Sequence, residues 1–342
     1  MSPKTQILVT GITGYIGGSV YSHLTKYSDF ASFEITALIR STDKAEKLKK
    51  LGIKTVVGAH DDVKIMESLA AKAEIVIAAA DADNVQAATA TLAGLKKRYD
   101  ATGIPPTFIH TSGTGLLVDD AAGERSTDVV YDDCNLDQIE SIPHTAPHRN
   151  VDLRLVNADK EGYVRAYIIL PSTIYGIATG PLVEQGIQNP FSQQVPMLIR
   201  VSARRGRAGM VGQGKNIWPN VHINDVAQLY VTLLDSIRKN PSTGHGRDGY
   251  YFGENGEHTL YEVSKAIGDV LVAEGKADNR EPTPFTKAEL EKQYPGLISL
   301  GTNARCQANH SRSIGWRPQF SKLDLLTGID TEYEGLKKAG RI

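Results

Sequence analysis

The sequence predicts an α/β protein, a doubly wound parallel sheet followed by a smaller C-terminal substrate lobe. Three observations predict it. Short β-branched runs alternate with helix-period stretches through the first 176 residues, a glycine-rich turn joins the first run to the first helix, and the texture changes after Gly176. The length of 342 residues suits one large α/β unit or two closely packed lobes.

"TQILVTG" is a β-branched run that breaks at glycine, and "YIGGSVYSHLTKY" repeats its apolar positions at helical spacing. The order then recurs: "FEITALIR" as strand, "DKAEKLKKLG" as helix, "KTVVG" as strand, "VKIMESLAAKA" as helix, "EIVIAAA" as strand, and "NVQAATATLAGLKKRYDATG" as a long helix. "PTFIHTSG" and "VRAYIILPSTIYG" are the next two strands. Strands separated by helices imply parallel pairing through right-handed crossovers, since a hairpin cannot reach a parallel neighbour. From Gly176 onward "GIATGPLVEQGIQNPFSQQVP" and "RRGRAGMVGQGKNIWPN" read as loops and short helices that build a pocket. "VHINDVAQLYVTLLDSI" then reads as strand into helix, and "HTLYEVSKAIGDVLVAEG" as an amphipathic helix. The expected division is 1–176 for nucleotide binding and 177–342 for a substrate lobe, interleaved with the last sheet elements at about 218–238.

Composition narrows the function. There are 38 basic and 39 acidic side chains, a net charge of -1, so no global field draws in nucleic acid or an anionic membrane. The two cysteines, Cys134 and Cys306, make no disulfide framework or metal motif and fit a reducing compartment. No stretch approaches the ~20 apolar residues of a bilayer span, and the N-terminus has no signal-peptide pattern, so a cytoplasmic protein is expected.

Thr10-Gly11-Ile12-Thr13-Gly14-Tyr15-Ile16-Gly17 is a TGxxGxxG turn between strand and helix, the context in which this pattern binds a dinucleotide. Gly11 supplies the positive φ of the turn, Gly14 lets backbone approach a pyrophosphate, and Gly17 lets the helix pack closely. The helix N-terminus adds free N–H groups and partial positive charge. At the end of the second strand Arg40 stands where an acidic residue would grip the ribose of NAD, with Ser41 next and Lys44 one turn on. A guanidinium takes a 2′-phosphate by two parallel bonds, so NADP (NADPH) is the expected cofactor; the other reading is a solvated Arg and Lys opening a helix.

With TGxxGxxG, "PSTIYG" after a late strand, "VHINDVA" and the terminal "SRSIGWRP", the chain resembles the extended and atypical short-chain dehydrogenase/reductase superfamily (NAD-dependent epimerase/dehydratase-like) over nearly its whole length. The resemblance implies a Rossmann-type fold and a cofactor cleft. That cleft comprises Gly11, Thr13, Gly14, Tyr15, Ile16, Gly17, Arg40, Ser41, Lys44, Ala78, Ala79, Ala80, Thr111, Ser112, His148, Pro171 and Thr173. It also implies a homodimer through the helices after the fourth and fifth strands, although burial against its own sheet would give the long helix the same apolar pattern.

The resemblance breaks at the proton relay. Such enzymes use a Tyr hydroxyl, a Lys that lowers its pKa and holds the ribose, and a Ser or Thr on the substrate oxygen. Here Gly113 falls at the serine position, flanked by Ser112 and Thr114, and counting back from Pro171 puts His148 at the lysine position and His144 at the tyrosine position. Asp152 then takes the place of the acidic residue that follows the lysine. Three readings stay open. An imidazole transfers the proton, with His148 holding the ribose or polarising a partner; the pair is an i, i+4 metal site, against which Pro147 and the lack of a third ligand argue; or both are loop and helix-start residues and Tyr131, another side chain or water supplies the proton.

In sugar-nucleotide epimerases of the superfamily an arginine four residues before the histidine of "HVxDxA" grips the diphosphate; here that position is Trp218, which suits an apolar or aromatic substrate. Gln193 and Gln194 are candidate pocket residues, with a surface helix as the plain reading, and Arg204, Arg205 and Arg207 form either a phosphate site or a solvated face. His222 and Asp225 are expected to organise the loop beneath the pocket. The function expected is an NADPH-dependent reductase of a carbonyl or imine in a small, largely apolar or aromatic metabolite. The alternatives are an NADP-holding redox sensor without turnover and a sugar-nucleotide epimerase or dehydratase.

Overall fold

The computed structural model describes residues 3–342. Seven strands form one wholly parallel sheet: β1 (Thr5–Thr10), β2 (Phe33–Ile39), β3 (Lys54–Val57), β4 (Ile75–Ala78), β5 (Thr107–Thr111), β6 (Arg165–Pro171) and, after the shorter β7 (Thr173–Tyr175) and β8 (Ile217–His222), β9 (Tyr250–Gly253). Their order is β9-β6-β5-β4-β1-β2-β3. The order reverses between β1 and β4, and that switch point opens the crevice in which doubly wound sheets bind ligands.

The helices that cross between strands are α1 (Tyr15–Leu24), α2 (Thr42–Lys50), α3 (Val63–Ala70), α4 (Val85–Thr102) and α5 (Arg149–Lys160). Sequence marks their starts. The side chains of Ser41, Asp62 and Asn84 each cap a helix by accepting the N–H three residues on, and α4 ends on Gly103 in the left-handed conformation.

Two departures from the sequence expectation concern the end of the sheet. "VRAYIILPSTIYG" is two strands and not one: Ser172 still donates its N–H to Gly253, and β7 then leaves the main sheet to pair with β8. β10 (Glu257–Thr259) closes that small sheet on the other side of β8. The edge strand β9, "YYFG", is the seventh strand, which the sequence reading did not contain.

α6 (Gln194–Arg205) is a twelve-residue helix, longer than the loops and short helices expected in this stretch. Pro196 falls in its first turn, where the missing N–H costs nothing. α7 (Ile223–Lys239) packs against α1, and α8 (Leu260–Ala273) and α9 (Ile329–Lys338) pack together behind the small sheet. Among the described residues there are two large hydrophobic cores and a small third cluster of Tyr15, Ala178 and Ile223. One runs through the parallel sheet and takes in Trp218, the apolar face of α7 and Trp316. The second gathers Phe191, Leu198, Ile199, Val263, Leu297 and Leu336 in the C-terminal region. Trp316 of "GWRP" is fully buried and donates its indole N–H to the carbonyl of Asp225 at 2.9 Å. No helix among the described residues is long and apolar enough to cross a membrane.

Candidate cofactor and proton-transfer site

The glycine turn sits at the switch point. Gly11 has φ +75°, and a Cβ there would stand 2.3 Å from the carbonyl oxygen of Ala79, so β4's end and the turn can approach only because residue 11 is glycine. A Cβ on Gly17 would stand 2.3 Å from Gly11 O. At Gly14 it would meet Gly11 O at 3.0 Å and nothing else within 4 Å. The turn is therefore packed on its inner side and open on its outer side at the start of α1, whose N-terminus no side chain caps. That is a cradle an added Cβ would partly fill, and it fits a dinucleotide pyrophosphate.

Other parts of the chain hold this turn. Asn189 N–H donates to Thr13 O at 3.0 Å, and the Gln188 amide donates to Tyr15 O and Ser19 Oγ, both at 3.0 Å. Tyr15 is buried, its hydroxyl donating to the carbonyls of Gly176 (2.5 Å) and Tyr175 (3.1 Å), so its side chain ties α1 to the end of β7. Burial beside Glu332 pushes that phenol up. Arg40 is exposed at the end of β2 and, like Lys44, makes no ion pair among the described residues. Ser41 caps α2.

At the other wall the expected hydroxyls turn inward. Thr111 Oγ1 donates to Ala78 O at 2.7 Å and lies 2.5 Å from the Tyr230 hydroxyl. Ser112 Oγ donates to Asp152 Oδ2 at 2.9 Å. Thr114 is buried and its hydroxyl has no partner. Beneath them lies a polar cluster. Asp152 is fully buried, its carboxyl pushed up to about 7 by burial and eased back by the Ser112 bond and the Arg149 charge. His110 Nε2 is 3.8 Å from it, and burial holds that imidazole down near 4, hence neutral. Arg149 donates to Tyr250 and to Ile139 O, both at 2.9 Å.

The two histidines part company. α5 begins at Arg149, so His144 lies in the turn before it, exposed, and is not one helical turn below His148 on a shared helix. Nor do the described residues bring a third ligand to the pair; the cluster with metal-like spacing is Asp132, Asp133 and Cys134, where Asp133 is already taken by the N–H groups of Phe252, His310 and Ser311. His148 is the residue before α5, with a left-handed φ of +67°, and its Nδ1 is 2.8 Å from Asp83 Oδ1. Its Nε2 lies at the Gly113–Gly115 turn: a Cβ on Gly113 would be 3.4 Å from it and one on Gly115 3.1 Å. Tyr131 stands on a two-residue strand paired with Cys306–Gln307, outside the main sheet.

Thr173, Gln194, Asn216, Trp218 and His258 line a narrow slot with Val195, Leu198, Leu260, Val263 and Leu300. Trp218 is held by its indole N–H on Thr302 O at 2.6 Å. Gln193, the residue before α6, is exposed. Of the arginine run, Arg205 is committed to Glu289, Thr283 and Pro284, and Arg207 donates to Glu281 O, which leaves Arg204 as the solvated member. His222 stacks on Phe320 at 3.9 Å between centroids, and the Asp225 carboxylate accepts the N–H groups of Gln319 and Phe320. Sequence reasoning missed Asp83, His110, Arg149, Asn216 and His258; "ADADN" and "FIHTSG" carry the first two, but only the topology pairs them with α5.

Residues 3–97 match the NmrA-like family. Over 97% of this chain and 99% of the relative, the sequence is 32% identical to "Oxidase ucsJ" of Acremonium sp. It is 26% identical to the uncharacterized protein YLL056C of Saccharomyces cerevisiae, over 96% of this chain and 99% of that one. Among solved structures, UDP-glucose 4-epimerase of Thermotoga maritima with UDP-glucose superposes with a TM-score of 0.66 at 17% identity, covering 98% and 99% of the two chains. A double mutant of the dTDP-glucose 4,6-dehydratase DesIV of Streptomyces venezuelae with NAD bound gives 0.66 at 18%, covering 97% and 98%. These structural likenesses carry the fold.

Proposed function

Because the chain belongs to the extended and atypical short-chain dehydrogenase/reductase superfamily, whose members are nucleotide-cofactor oxidoreductases and epimerases, we propose that it is an NADPH-dependent reductase of a carbonyl or imine. The substrate is a small, largely apolar or aromatic metabolite. The observation that carries this reading is the pairing of an open pyrophosphate cradle at Gly14 with an imidazole at the Gly113–Gly115 turn. Bound NADPH would supply the hydride. The chain's own residues do the rest. Gly11, Gly14 and Gly17 admit the pyrophosphate; Arg40, with Ser41 and Lys44, takes the 2′-phosphate; Ala78 to Ala80 and Pro171 to Thr173 wall the cleft; and His148 delivers the proton. His144, exposed in its turn, is a secondary candidate. Trp218 and Gln194 line the narrow slot, which would widen to receive the apolar body of the substrate, while Gln193, the residue before α6, is exposed.

A second reading, a protein that holds NADP without turnover, is favoured by the inward commitment of the Thr111 and Ser112 hydroxyls. The experiment is cofactor oxidation with NADPH, and separately NADH, against aldehydes, ketones and cyclic imines, and the reverse assay with NADP and alcohols or amines, given the relative named as an oxidase. Turnover preferring NADPH supports the reductase. Saturable NADPH binding with no turnover in either direction supports the second reading. Tightly held oxidised cofactor in purified protein would point to the epimerase or dehydratase class.

A further inference from the structure

Two glycines and a strained histidine are the oddest features of the cleft, and they occur together. Gly113 stands where the superfamily places a serine, and Gly115 follows two residues on. His148 adopts φ +67° although it is not glycine, a conformation that costs about 1–2 kcal/mol. Its ring borders both positions, with Nε2 as the nearest atom at each: a Cβ at 113 would rest in ordinary contact with it at 3.4 Å, and one at 115 would crowd it at 3.1 Å. The other ring nitrogen meets Asp83, 65 residues away in sequence, at 2.8 Å. The Asp83 side chain is 63% exposed and that of His148 21%. Exposed ion pairs contribute about 0–1 kcal/mol, so this one does not offset the backbone strain it accompanies. Stability leaves the arrangement unexplained.

We infer that Asp83 and His148 form a proton-transfer dyad that stands in for the missing tyrosine, lysine and serine. A carboxylate accepts only, so the bond at 2.8 Å puts a proton on Nδ1 and fixes one tautomer. Nε2 is thereby left as the working atom, at the turn where the substrate oxygen or nitrogen must lie. His148 is the catalytic residue and Asp83 the positioning residue, the same logic by which an oriented imidazole serves other enzymes. In the reductive direction, hydride adds to the substrate carbon as the double bond's electron pair moves to oxygen or nitrogen. That atom takes the Nε2 proton of the imidazolium. The neutral ring keeps its Nδ1 proton on Asp83 and regains the other from water. The carboxylate also couples the dyad to the cofactor. Asp83 belongs to the loop that follows β4, whose first residue, Ala79, lies against Gly11, and Asp81 Oδ1 shapes the loop by accepting Asp83 N–H at 3.0 Å.

The role of this dyad rests on the reductase reading, but its existence does not, and the test separates them. In full-length protein labelled with 15N-histidine, nitrogen-15 and low-field proton spectra at mildly alkaline pH should show, besides His23, His245 and His310, whose Nδ1 atoms also face oxygen acceptors, one further side chain in the Nδ1-protonated tautomer. His148→Gln and Asp83→Ala should each remove that signal. In turnover, Asp83→Ala should lower kcat by about 10²-fold, the lower range for a positioned acid or base, with NADPH Kd within about twofold, and Asp83→Glu should recover most of it. Loss of the tautomer signal in His148→Gln but not in Asp83→Ala would overturn the dyad. So would an Asp83→Ala variant that binds NADPH weakly with kcat intact, since Asp83 would then act on the cofactor loop. A wild-type protein that shows the shared signal but turns nothing over keeps the dyad and sinks the reductase.

Discussion

The Ser112 hydroxyl donates to Asp152 at 2.9 Å with both side chains buried, so the hydroxyl that flanks the usual serine position faces the core and not the cleft. Ser112→Ala should therefore act on stability first. A lost hydrogen bond that leaves a buried carboxyl short of a donor costs about 1–3 kcal/mol, while kcat should stay within about fivefold. Denaturant melts and steady-state kinetics on the same preparation check this. A hundredfold fall in kcat at unchanged stability would instead place Ser112 on the substrate.

The same pair sets a pH dependence. Burial raises the Asp152 carboxyl from 3.8 to about 7, so the folded protein holds a proton there that the unfolded chain has lost. Its contribution to stability is full below about 4 and is lost as pH rises through 7. His110, His222 and His258, held near 4 by burial, act oppositely, adding stability that is lost as pH falls towards 4. A difference experiment isolates the carboxyl. In Asp152→Asn, which cannot ionise, the melting temperature relative to wild type should climb between pH 4 and 7 and level off above. A difference constant from pH 4 to 8 would contradict the shift.

Much of the parallel sheet was legible because each strand and helix of a crossover carries its own period, and the glycine turn because three backbone constraints fall within seven residues. Legibility ended where a neighbour decides the structure. The break at Ser172 depends on β8 arriving to pair with β7, and β9 is a four-residue strand whose partner, β6, lies some eighty positions earlier. α6 was hidden by Pro196 and the Gln- and Pro-rich residues before it. In the site, spacing located His148 and left its role undecided. The reason is topological: Asp83 comes from the loop after β4, Gly113 from the end of β5, and only their order in the sheet brings both to the residue before α5.

Gly14 and Gly11 separate folding from cofactor binding. A Cβ on Gly11 would drive into Ala79 O at 2.3 Å, so Gly11→Ala should destabilise the protein as well as abolish binding. At Gly14 the added methyl meets only Gly11 O at 3.0 Å, which a small adjustment accommodates. Gly14→Ala should keep a melting temperature within a few degrees of wild type while weakening NADPH by about tenfold or more, since the methyl occupies the pyrophosphate's approach. Calorimetric titration beside thermal melts measures both. Unchanged NADPH affinity in Gly14→Ala would move the pyrophosphate elsewhere.

Arg40 should decide between the two nicotinamide cofactors. It is exposed at the end of β2 and free of ion pairs among the described residues, so its guanidinium is available to a 2′-phosphate without first breaking another bond. Arg40→Ala should weaken NADPH by about 10–100-fold, equivalent to ~1.4–2.8 kcal/mol for a charge-assisted bidentate contact, and leave NADH within about threefold. The preference should also narrow as salt is raised, because a surface contact of this kind is screened. Arg40→Asp should go further and favour NADH, since a carboxylate repels the phosphate and accepts from the ribose hydroxyls. Equal losses for both cofactors in Arg40→Ala would mean that residue 40 supports the fold of the cleft and that the 2′-phosphate is read by another group, with Lys44 next to be tested.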